Sequence, residues 1–297
     1  MSVRIVEVGP RDGLQNEATA IPTDAKLRFI AQLIAAGDTN IEATSFVSPK
    51  WVPQLSDAVG LWPQLPEVGI YSALVPNMRG LERAIECGVK RIALFTAASD
   101  TFTKTNINMS VDQSLETFRE VAEAFLAAVP DGWIRGYVST AFECPYEGKV
   151  DVARVVSVSQ RLLDIGVDEI SIGDTIGVAV PNEVESLTKA LLGAIPVEKL
   201  AYHFHDTRGT AIANVAKALE MGVEIFDASA AGLGGCPYAK GAGGNLATED
   251  LVYFLERSGI PTGIKLAELA GASKEIMALI GREPAAKAQV AELARSD

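Results

Sequence analysis

The stretch L-I-A-A-G-D-T-N-I-E-A-T-S-F, residues 33–46, joins an apolar helical pattern to a short apolar run through the glycine at position 37. Related phrases return along the chain, and the four copies lie at residues 33–46, 84–96, 162–174 and 218–229. In each copy the glycine suits the left-handed residue that ends a helix, and the following run predicts a buried strand. Repeated helix-then-strand units predict a parallel sheet with helical crossovers.

Short runs rich in Val, Ile, Phe and Ala predict eight strands, with the composition expected of parallel strands that are covered on both faces. They lie at about residues 3–8, 40–46, 69–75, 91–96, 134–140, 168–173, 199–205 and 224–230. Eight strands with intervening helices predict an α/β fold, the (β/α)8 TIM barrel. A doubly wound open sheet normally has a G-x-G-x-x-G turn after its first strand. The first turn here is G-P-R-D-G, residues 9–13, which favours the barrel.

A single catalytic domain is expected to span residues 1–297, with the barrel at about 3–250 and additional C-terminal helices at about 250–297. One α/β barrel commonly reaches ~250 residues. No Gly/Ser-rich or Pro-rich stretch of the kind found in linkers divides the chain. The C-terminal segments are rich in Ala and Leu, which is compatible with a homodimer or a higher homo-oligomer.

Composition and charge argue against several classes of partner. The net charge is −12 and the sequence has no Lys/Arg run, so a nucleic-acid partner is not expected. No membrane partner is expected either, because no run approaches the ~18 apolar residues of a membrane span and residues 1–8 lack a signal-peptide pattern. Three cysteines without a C-x-x-C motif favour a reducing, cytoplasmic location. An anionic substrate would need a local group of cations or a metal.

Polar side chains follow nearly every predicted strand at its C-terminal end, where the active sites of such barrels collect. Arg11 and Asp12 follow the first strand, and both histidines of the chain, His203 and His205, end the seventh. Residues i and i+2 of a strand project from the same face, so the two imidazoles can converge on one metal. The alternative is a pair of structural histidines.

Further metal ligands are expected from the first and eighth strands, since strands 7, 8 and 1 are neighbours in a closed barrel. Asp12 offers a carboxylate, and Asn245, in the loop after the eighth strand, offers an amide oxygen. A mixed N/O set without thiolate favours Mg²⁺ or Mn²⁺ over structural zinc. Two histidines with one carboxylate also suit Fe²⁺, so the ligand types alone leave the metal open.

Three more residues are candidates for the site. Cys236 lies in a glycine-rich loop at residues 232–245, where it could act as an acid or base over the substrate or be a small buried hydrophobe. Asp174 could hydrogen-bond a metal-binding histidine or cap the following helix. Glu42 lies within a buried strand and therefore needs a partner, for which Arg11 is the candidate.

Taken together, these motifs resemble the 3-hydroxy-3-methylglutaryl-CoA lyase family. The similar stretches are G-P-R-D-G-L-Q-N-E, I-E-A-T-S-F-V-S-P-K-W-V-P-Q, C-P-Y-E-G, H-F-H-D-T and A-G-L-G-G-C-P-Y-A-K-G-A-G-G-N-L-A-T-E-D-L-V-Y, between residues 9 and 253. The last is long and specific. R-D-G-L-Q and H-x-H-D-T are shared more loosely with the isopropylmalate, homocitrate and citramalate synthases, which catalyse the reverse, bond-forming type of reaction.

The resemblance implies a metal-dependent barrel that binds a CoA thioester and cleaves it to acetyl-CoA and acetoacetate by a retro-Claisen reaction. It implies a divalent cation, Mg²⁺ or Mn²⁺, held by Asp12, His203, His205 and Asn245. Arg11 would lie beside the thioester carbonyl with Glu42 positioning it, and Cys236 would take part in proton transfer. His203 and Asp12 would also serve as proton shuttles, and Asp174 lies in a matching motif.

The sequence departs from the family pattern in two places. Residues 139–148 read S-T-A-F-E-C-P-Y-E-G where S-C-x-x-G-C-P-Y-E-G is expected, and Arg208-Gly209 stands where Tyr-Gly is more usual. Both are expected to touch the pocket, so a related or longer 3-hydroxyacyl-CoA acid is an alternative substrate. A condensing enzyme of the isopropylmalate or citramalate synthase type is a further alternative. A catalytically silent binding barrel is a third, although all four candidate ligands are present.

Overall fold

A computed structural model describes residues 2–235 and 244–296 of the chain. Its eight parallel strands form a closed barrel in which each strand pairs with the next and the eighth pairs with the first. The strands are β1 (Arg4–Glu7), β2 (Asn40–Ser45), β3 (Ile70–Leu74), β4 (Arg91–Ala97), β5 (Trp133–Ser139), β6 (Glu169–Asp174), β7 (Leu200–Phe204) and β8 (Ile225–Ala228). The predicted barrel is confirmed, and no predicted strand end differs from the observed one by more than two residues.

Helices surround the barrel and connect its strands. They are α1 (Thr23–Ala36), α2 (Ala58–Leu61), α3 (Met78–Glu86), α4 (Asp100–Ile107), α5 (Val111–Ala128), α6 (Val152–Asp164), α7 (Pro181–Leu192), α8 (Ala211–Glu220), α9 (Thr248–Arg257), α10 (Leu266–Leu279) and α11 (Lys287–Ser296). A two-stranded hairpin, Glu143–Cys144 with Gly148–Lys149, follows β5. Of the helices described, none combines the length and apolar character that a bilayer crossing requires.

The glycines of the repeated phrase have left-handed backbones, as the sequence predicts. Gly37, for example, has a φ of 99° and ends α1, and its N–H donates to the carbonyl of Ile34. A Cβ atom at this position would lie 2.4 Å from the carbonyl oxygen of Gly263, so the chain is also packed too closely there for a side chain. This turn brings β2 back against β1 in the direction that a parallel pair requires.

The C-terminal region adds two helices to the barrel. Helix α9 follows β8 in the place of the eighth barrel helix, so the helices beyond the barrel are α10 and α11. Helix α10 packs against α1, and α11 packs against α9 and α10. The main hydrophobic core lies between the strands and the surrounding helices and includes Phe29, Phe118 and Phe125.

The interior of the barrel is largely polar. A small separate apolar cluster contains Val6, Val8, Ala201 and Ile225. Successive residues of a strand face opposite sides, so the inward positions of β5, β7 and β8 carry Arg135, His203 and Asp227. The register of β8 on β7 places Asp227 directly beside His203. Charged side chains inside the barrel are therefore brought together by strand pairing.

Candidate metal centre and active-site cavity

Asp12, His203 and His205 converge at the C-terminal end of the barrel. One ligand atom from each lies within 4.8 Å of the others, and the two imidazole ring centres are 5.3 Å apart. Asp12 lies in a π-helical turn, Gly9–Gly13, that follows β1. The predicted convergence of the two histidines with Asp12 is thus present in the fold.

Asn245 adjoins this group, as predicted. Its Nδ2 donates to Asp12 Oδ2 at 2.8 Å and to the carbonyl of Leu233 at 2.9 Å. Its Oδ1 and the Nδ1 of His205 are both buried and have no hydrogen-bond partner among the residues that the structure describes. Buried acceptors without partners are costly. Two of the four predicted ligands thus carry unsatisfied buried atoms, which fits a site for a divalent cation.

The two imidazoles differ in their surroundings. Burial, together with the nearby His203, lowers the pKa of His205 to about 3, so its ring is neutral and able to bind a metal. Burial also disfavours a charge on His203, but the adjacent Asp227 carboxylate raises the pKa of His203 above its ordinary value. His203 Nδ1 lies 3.1 Å from Asp227 Oδ2, and this bond fixes the ring so that the other nitrogen is available.

Asp227 is a candidate site residue that the sequence analysis missed. Its Oδ1 accepts from Arg135 Nη2 at 2.6 Å, and its Oδ2 also accepts from Ser171 Oγ at 2.9 Å. The sequence did contain a signal for this contact. Asp227 is at an inward position of β8, and β8 is the strand next to the one that carries His203. Asp227 therefore makes the bond to a candidate metal-ligand histidine that was one of the two predictions for Asp174.

Asp174 instead holds the backbone of the loop that precedes α7. Its Oδ1 accepts from the N–H of Val178 at 2.9 Å and its Oδ2 from the N–H of Ala179 at 3.1 Å. Burial raises the pKa of Asp174 to about 6, although these two bonds favour its ionised form. Asp174 therefore makes neither predicted contact among the described residues: it bonds no histidine, and α7 has Val180 at its N-cap without a side-chain cap.

Arg11 and Glu42 form a buried ion pair, which confirms the predicted partnership. Arg11 Nε donates to Glu42 Oε1, and Arg11 Nη1 donates to Asp12 Oδ1 at 2.6 Å. Burial opposes the charge on Arg11, but the two carboxylates keep its pKa above the ordinary value. Burial likewise opposes ionisation of Asp12, but Arg11 and then the histidines hold its pKa at about 2. The Arg11 guanidinium is thus held in its charged form beside the candidate metal ligands.

Tyr137 connects the Arg11–Glu42 pair to Arg135 and Asp227, and the sequence analysis did not predict it. Its hydroxyl donates to Glu42 Oε2 at 2.8 Å, and it accepts from Arg135 Nη1 at 3.2 Å. Arg135 thus contacts both Tyr137 and Asp227 and is only 1% exposed. One buried network extends from Arg11 to the partner of His203.

A cavity of about 620 Å³ opens above these residues. Its deep end is lined by Arg11, Asp12, Tyr137, His203 and His205, and its outer end by Ser48, Trp51, Val52 and residues 105–109. A second cavity, beside Arg4 and Arg91, measures only about 20 Å³, which is too small for a thioester. The larger cavity is therefore the candidate active site.

Residues 2–276 match the family model described as HMGL-like. The chain belongs to the HMGL-like family. It is 50% identical over 287 residues to the mitochondrial hydroxymethylglutaryl-CoA lyase of Rattus norvegicus, covering 96% of this chain and 88% of that protein. The predicted family resemblance is confirmed.

Solved structures of lyases in the HMGL-like family have the same fold. The crystal structure of hydroxymethylglutaryl-CoA lyase from Pseudomonas aeruginosa has a TM-score of 0.95 and 46% identity, covering 99% of this chain and 98% of that one. An HMG-CoA lyase from Acenitobacter baumannii, in complex with coenzyme A and 3-methylmalate, has a TM-score of 0.92 and 40% identity, covering 99% and 95%. The similarity to these lyases therefore covers nearly the whole chain.

The departures from the HMGL-like pattern do not line the cavity. Thr140 Oγ1 donates to the carbonyl of Ser139 at 2.7 Å, and Glu143 is exposed in the hairpin that follows β5. Arg208 Nη1 donates to the carbonyls of Ile176 and Gly177, both at 2.9 Å. None of these three side chains is among the cavity-lining residues that the structure describes. The expectation that they touch the pocket is wrong, because Thr140 and Arg208 hydrogen-bond to backbone carbonyls and Glu143 is exposed on the hairpin.

Cys236 lies outside the described residues, so its role in proton transfer stays a prediction. Gly235, the residue before it, lines the cavity. On the other side of the gap, the carbonyl of Gly244 accepts from the N–H of Asp206 at 3.1 Å. Both described ends of this segment therefore lie at the mouth of the barrel.

Proposed function

We propose that the protein cleaves 3-hydroxy-3-methylglutaryl-CoA to acetyl-CoA and acetoacetate. The observation that carries the proposal is the convergence of Asp12, His203 and His205, within 4.8 Å of one another, beside the buried Arg11. They lie at the floor of a cavity in a chain that is about half identical to hydroxymethylglutaryl-CoA lyases over most of its length. A condensing activity is not favoured, because the relatives that share about half of their residues with this chain over most of its length are lyases.

The residues of the ligand group suit a divalent cation. Asp12, His203, His205 and Asn245 would hold it, and their two oxygen and two nitrogen donors without thiolate favour Mg²⁺ or Mn²⁺. When bound, such a cation supplies Lewis acidity that stabilises a substrate alkoxide. Mg²⁺ and Mn²⁺ are both proposed, because this set of donors suits either ion.

The first demand of the reaction is removal of the proton from the substrate's tertiary hydroxyl. Asp12 and His203 both lie at the floor of the cavity. Asp227 holds one ring nitrogen of His203 and the other would bind the cation, so Asp12 is the group left to accept the proton. The bond between C2 and C3 then breaks, and its electron pair moves onto the thioester as an enolate.

The second demand is stabilisation of that enolate. Arg11 uses Nε for Glu42 and Nη1 for Asp12, which leaves Nη2 to donate to the thioester oxygen. A buried, pre-positioned cation is effective because it needs no reorganisation when charge develops. The enolate carbon finally takes up a proton to give acetyl-CoA, and the donor predicted for this step is Cys236.

The test uses purified full-length protein with 3-hydroxy-3-methylglutaryl-CoA and either Mg²⁺ or Mn²⁺. We expect acetyl-CoA and acetoacetate in equal amounts, loss of activity in excess EDTA, and recovery when either cation is restored. His205→Ala should abolish turnover while far-UV circular dichroism stays unchanged. Full activity in excess EDTA would contradict the metal assignment, and absence of acetoacetate at any metal concentration would contradict the function.

A panel of 3-hydroxyacyl-CoA acids tests the alternative substrates. Since Thr140, Glu143 and Arg208 do not line the cavity, we expect the methylglutaryl ester to have the highest kcat/KM. A higher kcat/KM for a longer ester would identify that ester as the substrate instead.

The oligomeric state and the location remain proposals from the sequence. A homodimer or a higher homo-oligomer is proposed from the Ala- and Leu-rich C-terminal helices, and light scattering on the purified chain measures the oligomeric state. A cytoplasmic location is proposed from the three cysteines, whereas the rat relative is named as mitochondrial.

A further inference from the structure

Side chains at the N-terminal end of the barrel enclose the smaller cavity of about 20 Å³, which lies opposite the candidate active site. A volume of this size holds one group about as large as a water molecule or a halide ion. Five of its nine lining residues are the first residues of β1 to β5, namely Arg4, Asn40, Ile70, Arg91 and Trp133. The parallel strands therefore bring these side chains together, and any ligand between them must be very small.

Three guanidinium groups, those of Arg4, Arg91 and Arg135, line this cavity. No carboxylate is among the described residues that line it, although the chain has a net charge of −12. Like charges in a partly buried site repel each other more strongly than at an open surface, because water and salt screen them less. The cavity is thus a local concentration of positive charge at one end of an acidic protein.

Glu169, a carboxylate beside the cavity, is shared between two of these guanidiniums. Its Oε2 accepts from Arg4 Nη2, and the register of β6 on β5 puts Glu169 next to Arg135. Glu169 Oε1 lies 2.9 Å from Arg135 Nε, but neither atom has a hydrogen-bond partner among the described residues. The second carboxylate that contacts Arg135, Asp227, also contacts His203. The buried Arg135 therefore keeps one N–H without an aligned acceptor.

Arg91 forms no ion pair with any residue in the described part of the chain, whereas Arg4 pairs with Glu169. Its Cζ atom lies 3.7 Å from the centre of the Trp133 ring. Such a stack fixes a guanidinium in place and leaves its full charge without a counter-ion. Burial, and then the nearby Arg4, lower the pKa of Arg91 below its ordinary value, and Glu169 and Asp168 oppose this only in part. The surroundings of Arg91 thus lack negative charge.

We propose that this cavity binds one small monovalent anion of about the size of chloride, held by Arg91 and Arg4. Arginine suits a partly buried anion because its guanidinium is weakly hydrated and offers several N–H donors in one plane. Asn40 and Ser72 also line the cavity and carry further donors. The bound anion offsets the repulsion among the guanidiniums and so stabilises the fold, in keeping with the structural role of the N-terminal end in such barrels.

The first test measures thermal unfolding of the purified full-length protein in mixtures of potassium chloride and potassium gluconate. The ionic strength is the same in every mixture, so that screening stays constant. Because the anion binds the folded state, the ratio of folded to unfolded protein should rise about 11-fold when chloride reaches about ten times its Kd. The Tm should rise by roughly 2–4 °C and then saturate. Bromide should act in the same way, and the absence of a saturable halide response would overturn the proposal.

The variant that tests the site is Arg91→Gln, which removes the guanidinium without a carboxylate partner. It should lose the saturable response to chloride. The matched control is Arg119→Gln on α5, whose side chain is 45% exposed and does not line the cavity. It should respond as the wild type does. A full response in Arg91→Gln would contradict the proposal, and an equal loss in both variants would show a general effect of net charge and contradict it too.

A direct measurement uses wild-type crystals grown in bromide, so it does not depend on the folding of any variant. The anomalous scattering of bromide should give a peak in the cavity between Arg4 and Arg91. Density there without an anomalous signal would identify a water molecule and overturn the proposal. Bromide peaks at exposed side chains alone would indicate an adventitious ion only, with the same consequence. None of these measurements requires turnover, so the anion site and the proposed function are tested separately.

Discussion

Three carboxylic acids are buried together between the barrel and its C-terminal helices. Glu7 ends β1, Asp38 precedes β2, and Glu249 lies in the first turn of α9, each with at most 1% of its surface exposed. No Lys or Arg in residues 2–235 and 244–296 forms an ion pair with any of the three. Burial raises the pKa of Glu7 and of Glu249 to about 7, and that of Asp38 well above its ordinary value.

These shifts predict that the folded protein loses stability as the pH rises toward 7. In the unfolded chain Glu249 loses its proton near 4.5, whereas in the fold it keeps the proton up to about 7. Between these values the folded state binds more protons, so the free energy of unfolding falls by about 1 kcal/mol per pH unit. The full stabilisation is present below 4.5, and about 3 kcal/mol is lost once the pH exceeds 7.

The substitution that removes this effect is Glu249→Gln. Glutamine is neutral at every pH and can still accept from the N–H of Ala231, which Glu249 Oε2 contacts at 2.9 Å. The variant should gain stability relative to the wild type as the pH rises from 5 to 8, by up to about 3 kcal/mol. Glu7 contributes in the same direction, so the stability of the Glu249→Gln variant should remain partly pH-dependent.

The assay is urea denaturation at several pH values between 5 and 8, with EDTA present so that metal binding does not contribute. The control is Glu116→Gln on α5, whose side chain is 73% exposed, and it should follow the wild type at each pH. Because a chain of this length can unfold through intermediates, coincidence of fluorescence and circular dichroism should be checked. Parallel curves for the wild type and Glu249→Gln would refute the reasoning.

Four shorter predictions concern the site. Arg11→Lys cannot contact Glu42, Asp12 and the thioester together, so kcat should fall about 100-fold with an unchanged circular dichroism spectrum. Asp227→Asn should weaken Mn²⁺ binding about tenfold or more in calorimetry, because His203 loses its carboxylate partner. Arg135→Lys should lower both Mn²⁺ affinity and kcat, since one ammonium cannot replace the contacts to Asp227 and Tyr137. Arg208→Tyr should change kcat and KM less than about twofold, as surface substitutions away from a site usually do.

The barrel could be predicted because its signal is local and repeated. Each helix ends at a glycine, and the strand that follows is a short apolar run, as around Gly37 and Gly166. The histidine pair could be predicted for a similar reason, since alternation within one strand puts His203 and His205 on the same face. Arg11 and Asp12 could be predicted as site residues because barrel active sites lie at the C-terminal ends of the strands.

The parts that were missed depend on contacts between strands that are distant in sequence. Asp227 lies 24 residues from His203, and Tyr137 lies 95 residues from Glu42, so only the strand register brings them together. Asp174 was ambiguous because a carboxylate at a strand end can bond a histidine or the next backbone turn equally well. The register decided between these alternatives by placing Asp227 beside His203.

A network of charged side chains inside the barrel explains why the candidate metal ligands and the Arg11 guanidinium are positioned together. Arg135 donates to Asp227, which holds His203, and to Tyr137, which holds Glu42 and thereby Arg11. A purely apolar interior would pack at least as stably, since buried ion pairs contribute little net stability. The charged interior is therefore better explained by the need to orient the candidate site residues than by stability. A displacement at Arg135 would reach both the group proposed to accept the hydroxyl proton and the group proposed to stabilise the enolate.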